Sequence, residues 1–127
     1  MFFIDENKSI HVTRGDAIRF TLTAKERGEE HSEYEFGTGE IVRFKVFEKK
    51  DCACVVLQKD FEIEANASTV VISLDKNDTK IGETISKPTE YWYEVELNPE
   101  VQPQTIIGYD EDGAKQFILY PEGGDAK

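Results

Sequence analysis

The chain has 127 residues, enough for one domain with one core and too few for two ordinary domains. Its 26 acidic residues outnumber the 15 basic ones, and the resulting net charge of −11 argues against binding to nucleic acid or to an anionic membrane. No apolar run is long enough for a signal peptide or a membrane span. We therefore expect one soluble domain made in the cytoplasm, with residues 1–122 folded and residues 123–127 as a flexible tail.

Apolar residues at every second position predict β-strands along the whole chain. The predicted strands span residues 2–4, 9–13, 17–23, 41–47, 54–58, 69–74, 91–97, 104–109 and 115–120. Strands 9–13 and 17–23 are either separate or one strand bent at Gly15. Phe61 and Ile63 either extend the strand 54–58 or begin another. The polar stretch 25–39 predicts a long exposed loop, which Tyr34 and Phe36 can anchor.

The alternation also predicts which side chains face the core. They are Ile10, Val12, Ile18, Phe20, Leu22, Val42, Phe44, Val46, Val55, Leu57, Val70, Ile72, Leu74, Tyr91, Tyr93, Val95 and Leu97. Residues 75–81 are too polar for a strand and predict a single helical turn. Asp110–Gly113 carries the Asp-Gly signal of a hairpin between the last two strands.

About eight strands without an amphipathic helix predict an all-β fold. The spacing of the turns favours an antiparallel two-sheet sandwich of immunoglobulin type. A small closed barrel is the alternative.

Several short motifs have a sufficient structural explanation. Arg14-Gly15-Asp16 matches the integrin-recognition tripeptide, but its position between two strands needs a glycine for the bend and charges for solvation. Asp110–Asp112 lack the ligand spacing of an EF-hand loop. Cys52 and Cys54, two residues apart on a strand, have Cα atoms roughly 6–7 Å apart, at the limit for a disulfide, and predict reduced structural cysteines.

No residue pattern predicts catalysis or a bound cofactor. A serine, cysteine or threonine nucleophile needs a neighbouring base, and only His11 and His31 are histidines. No glycine-rich phosphate loop opens a helix. The many carboxylates could include a glycosidase pair, but their abundance makes that signal unspecific. We expect no enzymatic activity, no cofactor and no metal site.

Trp92 is the most informative single residue. If Tyr91, Tyr93, Val95 and Leu97 face the core, Trp92 lies with Glu94 on the other face of the strand. Tryptophan at a surface contributes strongly to binding, so Trp92 and Glu94 predict a contact surface. Tyr34 and Phe36 of the loop are further candidate contact residues. A carbohydrate platform would use the same residue type.

Two sequence blocks resemble small phage and prophage proteins of Gram-positive bacteria. The first is Thr13–Asp16 with the alternating strand after it. The second runs through Lys87–Pro99, Gln104–Gly113 and Leu119–Gly123. These blocks are similar to the N-terminal immunoglobulin-like domain of baseplate upper proteins in tailed phages.

The resemblance implies a non-enzymatic structural protein of a phage tail or baseplate. Such a protein would be made in the bacterial cytoplasm and reach the virion by assembly. Its partners would be other phage structural proteins, and further copies of itself where the tail part is a ring. Baseplate upper proteins continue into long receptor-facing regions, which this sequence does not contain, so the resemblance favours an adaptor role. The alternative reading of the residues is a carbohydrate-binding β-sandwich module.

Overall fold

A computed structural model describes residues 2–23, 35–49, 54–82, 86–101, 104–107 and 115–121. Within these ranges every regular element is a β-strand, which confirms the all-β prediction. The nine strands are β1 (Phe2–Ile4), β2 (Ile10–Thr13), β3 (Ile18–Leu22), β4 (Ile41–Phe47), β5 (Val55–Glu62), β6 (Val70–Leu74), β7 (Thr89–Leu97), β8 (Gln104–Ile107) and β9 (Lys115–Tyr120).

The strands form a large sheet and a small sheet. The large sheet has seven strands in the order β1-β2-β9-β7-β4-β5, with β8 also paired to β7. The small sheet consists of β3 and β6. The change of sheet between β2 and β3 takes place at Gly15, whose φ of 89° is a conformation that side-chain-bearing residues rarely adopt. The predicted strands 9–13 and 17–23 are therefore separate.

One hydrophobic core joins the two sheets, as in a β-sandwich. Phe44 of the large sheet lies at its centre and is fully buried. The Phe44 ring centroid is 6.4 Å from that of Phe20 in the small sheet, 5.6 Å from Tyr93 and 6.2 Å from Phe117. The predicted inward residues of β7, Tyr91, Tyr93, Val95 and Leu97, are all buried. Because β1 and β5 are open edges of the large sheet, a closed barrel does not form among the described strands.

The prediction of a wholly antiparallel fold is wrong at one place. β2 and β9 pair in parallel, with Ile10 opposite Phe117 and Thr13 opposite Tyr120. All other strand pairings in the described residues are antiparallel. A parallel neighbour needs a long connection, and here nearly the whole chain separates the two strands.

The predicted hairpin between the last two strands is also wrong. Both β8 and β9 run antiparallel to β7, and they lie one after the other along the same side of it. Ile107 lies opposite Val95, and Lys115 lies opposite Tyr93. The Asp-Gly signal of residues 110–113 lies outside the described residues.

One smaller expectation also needs correction. Val55, predicted to face the core, is 50% exposed, because a bulge at Val46/Phe47 shifts the register of β5 and places Val55 opposite Phe47. Residues 75–79 form one turn of helical type, as predicted, since the backbone N–H groups of Asp78 and Thr79 donate to the Asp75 carbonyl oxygen at 3.1 and 3.4 Å. The Asp75 carboxylate caps this turn by accepting hydrogen bonds from the backbone N–H groups of Asn77 and Asp78, each 2.9 Å long.

Candidate functional site: the outer face of the large sheet

Strand alternation sends one set of side chains away from the core, and this set forms the outer face of the large sheet. On β7 it consists of Glu90, Trp92, Glu94 and Glu96, which alternate with the buried residues of the same strand. Trp92 is half-buried. The predicted contact residues Trp92 and Glu94 therefore lie together on one face, two positions apart.

An apolar row crosses this face from β7 to β5. It consists of Trp92, Phe47 and Val55, since Phe47 lies opposite Trp92 in the ladder and Val55 lies opposite Phe47. Phe47 is only 3% exposed, whereas Val55 is 50% exposed and its neighbour Val56 39% exposed. The Nζ atom of Lys45 lies 5.7 Å from the centroid of the Phe47 ring, which places the two side chains on the same face.

Next to the apolar row, Glu94 and Glu96 share a single cation. Lys45 lies opposite Glu94 in the ladder, and its Nζ contacts Oε1 of Glu96 in an ion pair that lacks hydrogen-bond geometry. Burial raises the pKa of Glu94, and the neighbouring Glu96 carboxylate raises it further, while Lys45 lowers it only in part. The Glu94 carboxylate therefore carries a charge that the surrounding protein does not fully compensate.

Arg43, the other cation among the outward residues of β4, β5 and β7, is paired with carboxylates. The guanidinium of Arg43 binds Asp60 through two hydrogen bonds, from Nε (2.7 Å) and from one terminal nitrogen (3.0 Å). The same terminal nitrogen reaches Glu100 at 3.3 Å. The hydrogen bonds from Arg43 lower the pKa of Asp60, and those carboxylates in turn raise the pKa of Arg43.

The half of the outer face nearer β1 contains a different cluster, which we call the His11 network. Nε2 of His11 is 2.9 Å from Oδ2 of Asp5, and its Nδ1 is 2.9 Å from the Tyr120 hydroxyl. The imidazole also stacks on Phe3, with ring centroids 4.2 Å apart and planes inclined by 6°. The hydrogen bond from His11 lowers the pKa of Asp5, and those from the backbone of Ser9 and Asn7 act in the same direction. Both nitrogens of His11 are occupied, so the network links β1, β2 and β9.

The Arg14-Gly15-Asp16 tripeptide makes contacts inside the protein. Arg14 donates a 2.8 Å hydrogen bond from its guanidinium to the carbonyl oxygen of Gly82. The hydroxyl of Thr79, fully buried, donates to the carbonyl oxygen of Asp16 at 2.8 Å and accepts from the backbone N–H of Gly15 at 3.0 Å. These contacts agree with the structural explanation of the tripeptide.

The remaining predicted residues are placed differently from Trp92 and Glu94. Phe36 is fully buried, and its backbone pairs with Ala67 through hydrogen bonds of 2.7 and 3.1 Å. It is fixed in the core and contributes no surface to the outer face, so the prediction of Phe36 as a contact residue is wrong. Tyr34, His31 and Cys52 lie outside the described residues. Cys54 is exposed and free.

Sequence reasoning missed two features of this face. The His11 network joins residues 109 positions apart, His11 and Tyr120, so no local pattern can reveal it. The outward position of Phe47 follows from strict alternation with Arg43 and Lys45, a signal that the sequence contains, although the predicted core assignment did not extend to Phe47.

Comparison with protein-family models, with curated proteins and with solved structures gives no match. Among the described residues, no group of three or more histidine, cysteine or acidic side chains is arranged to hold a metal ion. The same residues contain no helix of the length and hydropathy that a membrane span requires.

Proposed function

We propose that this protein is a non-enzymatic structural or assembly protein of a phage or prophage, associated with the tail or baseplate. In this proposal the fold is an immunoglobulin-like sandwich, and the outer face of its large sheet contacts neighbouring proteins of the particle. The chain acts by presenting a surface, without chemical turnover and without a cofactor.

The observation that carries the proposal is the apolar row of Trp92, Phe47 and Val55 on a face that the fold does not use for its core. A sheet face turned to water normally carries polar side chains, and apolar side chains exposed there, such as Val55 at 50%, favour a protein contact. Tryptophan is also among the residues that contribute most to binding at interfaces. The sequence blocks that resemble phage proteins include β7, the strand that carries Trp92.

Two sheets around a common core support the immunoglobulin-like part of the proposal. The division into seven and two strands is more uneven than in a typical immunoglobulin domain, and the parallel pair β2–β9 is a further departure. The proposed relationship therefore rests on the layer arrangement and on the resemblance, and less on strand order.

Particle sedimentation tests this proposal. The bacterium that encodes the chain would express a tagged copy while it produces phage, and the lysate would be separated on a density gradient. We expect the tagged protein to sediment with tailed particles or tail assemblies, and Trp92→Ala to move most of it to the soluble fraction. A wild-type protein that stays entirely at the top of the gradient, while tail proteins sediment, would refute the proposal.

A carbohydrate-binding module is a second candidate because of one arrangement. Trp92 lies opposite Gln116 on β9 and two positions from Glu94, so that an aromatic surface has hydrogen-bonding groups on two sides. Trp92 is the single tryptophan of the chain, so its fluorescence reports directly on this face. A saturable fluorescence change with a neutral oligosaccharide would support this candidate, and an unchanged spectrum across a panel of glycans would exclude it.

A further inference from the structure

We propose that the apolar row and the adjacent carboxylates bind a segment of a partner protein that carries an arginine or lysine beside an apolar side chain. This inference rests on the proposed function only in taking the partner to be another protein of the particle. The chemistry of the contact follows from the outer face alone.

The apolar half of the contact is the row from Trp92 to Val55. Val55 presents the most exposed apolar surface of the row, and the half-buried indole of Trp92 lies at its other end. The indole nitrogen of Trp92 makes no hydrogen bond within the described residues. A tryptophan at an interface typically gives its ring to apolar contact and its N–H to a polar group of the partner.

The negative charge around the apolar row determines the polar part of the contact. The outward residues of β4, β5 and β7, together with Glu100, include the carboxylates of Asp60, Glu62, Glu90, Glu94, Glu96 and Glu100, whereas the cations are Arg43 and Lys45. Arg43 is bound by Asp60 and Glu100, and Lys45 by Glu96. A cation brought by a partner would therefore find carboxylates that are not fully compensated, with Glu94 the most central of them.

Glu94 and Trp92 are positioned to receive the same cationic side chain. They lie on one face of β7, two residues apart, which separates their Cα atoms by roughly 6–7 Å. An arginine can stack on an indole and pair with a carboxylate at the same time, because its guanidinium is planar and carries donors along its edge. The raised pKa of Glu94 agrees with a carboxylate that lacks such a partner in the free protein.

Charge also disfavours the simplest alternative occupant, a second copy of this chain. Two copies joined through this face would bring two acidic surfaces together, each on a chain with a net charge of −11. A partner with the opposite charge gains attraction at the same place. The face therefore favours a different, basic protein.

Calorimetric titration of the full chain with two synthetic peptides tests the inference. In the first peptide, arginine and valine alternate along one face of an extended strand, with threonine between them, and in the second, glutamate replaces arginine. We expect the arginine peptide to bind, the glutamate peptide not to bind, and affinity to fall between about 50 mM and about 200 mM salt, because exposed charges are screened.

Three variants locate the binding. We expect Glu94→Gln to weaken the arginine peptide about two- to fivefold and Trp92→Ala about tenfold or more. The matched control is Glu64→Gln, which removes the same charge from an exposed position beyond β5 and should leave affinity unchanged. Thermal unfolding of each variant verifies that it is folded, and Glu94→Gln keeps the shape of the side chain if Trp92→Ala does not fold.

Several outcomes would overturn the inference. The first is that the arginine peptide does not bind. The second is that Glu64→Gln and Glu94→Gln weaken its affinity equally. The third is that a folded Trp92→Ala variant binds the peptide as tightly as the wild-type protein. Binding of a neutral oligosaccharide in place of the peptide would point to the carbohydrate candidate. A chain that sediments with phage particles but does not bind the arginine peptide would refute this inference and leave the proposed function in place.

Discussion

The two halves of the outer face satisfy their polar groups in different ways. Near β1, the His11 network uses each polar atom internally, since Asp5 and Tyr120 occupy both nitrogens of His11. Near β4 and β7, Glu94 and Glu96 share one lysine, and the pKa of Glu94 is raised. The pKa of Asp5, in contrast, is lowered. Polar groups that are all hydrogen-bonded within the protein stabilise the fold. Carboxylates that are not fully paired lower the free energy of unfolding, and a partner that pairs with them can offset this loss.

The largest expected change in the free energy of unfolding is in the half of the outer face that contains the His11 network. His11→Ala should destabilise the protein by about 2 kcal/mol, because two hydrogen bonds of about 1 kcal/mol each and the stacking on Phe3 are lost. Urea unfolding measures the change. Thr13→Ala, on the same strand and the same face, is the matched control and should cost much less. Equal effects of the two substitutions would show that the network does not stabilise the fold.

A smaller effect is expected at the other end of the network. Tyr120→Phe removes only the hydroxyl that contacts Nδ1 of His11, and we expect a loss of about 1 kcal/mol in the free energy of unfolding. In a background that already carries His11→Ala, the same substitution should have little effect. Additive losses in this double-mutant cycle would contradict a coupled network.

Acid should act on the two halves with opposite signs. The pKa of Asp5 is lower in the folded state than its ordinary value of 3.8, so its stabilising contribution is present above that pH and is lost as the pH falls through the folded pKa. Asp5→Asn, which can keep the side-chain oxygen that accepts from Asn7 and Ser9, should make stability fall less steeply in acid. Unfolding curves from pH 7 to about pH 3 test this, and identical slopes would contradict it.

The smallest expected effect is a gain of stability on substitution of Glu94, in the half of the outer face near β4 and β7. The pKa of Glu94 is raised above 4.5, so its ionised form destabilises the fold above the folded pKa, and this cost disappears as the pH falls through that value. Glu94→Gln should therefore raise stability at pH 7 by less than about 1 kcal/mol, with no gain in acid. Denaturant midpoints at the two pH values check this. A loss of stability at pH 7 would remove the distinction between the two halves.

Much of the inward packing could be predicted from the sequence. Each predicted core residue of β4, β6 and β7 is buried, because their side chains alternate strictly between the two faces. The prediction failed at Val55, where a bulge shifts the register, and such a bulge has no reliable local signal. It also failed for β8 and β9, whose relative direction depends on their common partner β7.

The candidate site was predictable in part for the same reason. The outward position of Trp92 and Glu94 follows from the alternation within one strand, whereas the partners of Glu94 come from other positions and strands. Cross-strand register determines that Lys45 lies near both Glu94 and Glu96 and that Arg43 pairs with Asp60. The His11 network depends on the parallel pairing of β2 and β9, which no pattern within either strand indicates.

The parallel pairing of β2 with β9 has a consequence for biosynthesis. Among the described strands of the large sheet, β1 pairs only with β2, and β2 has no neighbour except β1 and β9. The first strands to leave the ribosome therefore have no place in the sheet until residues 115–120 have been translated. Chains whose translation stops before that point would expose the apolar sides of Ile10 and Val12, which makes them substrates for chaperones and proteases.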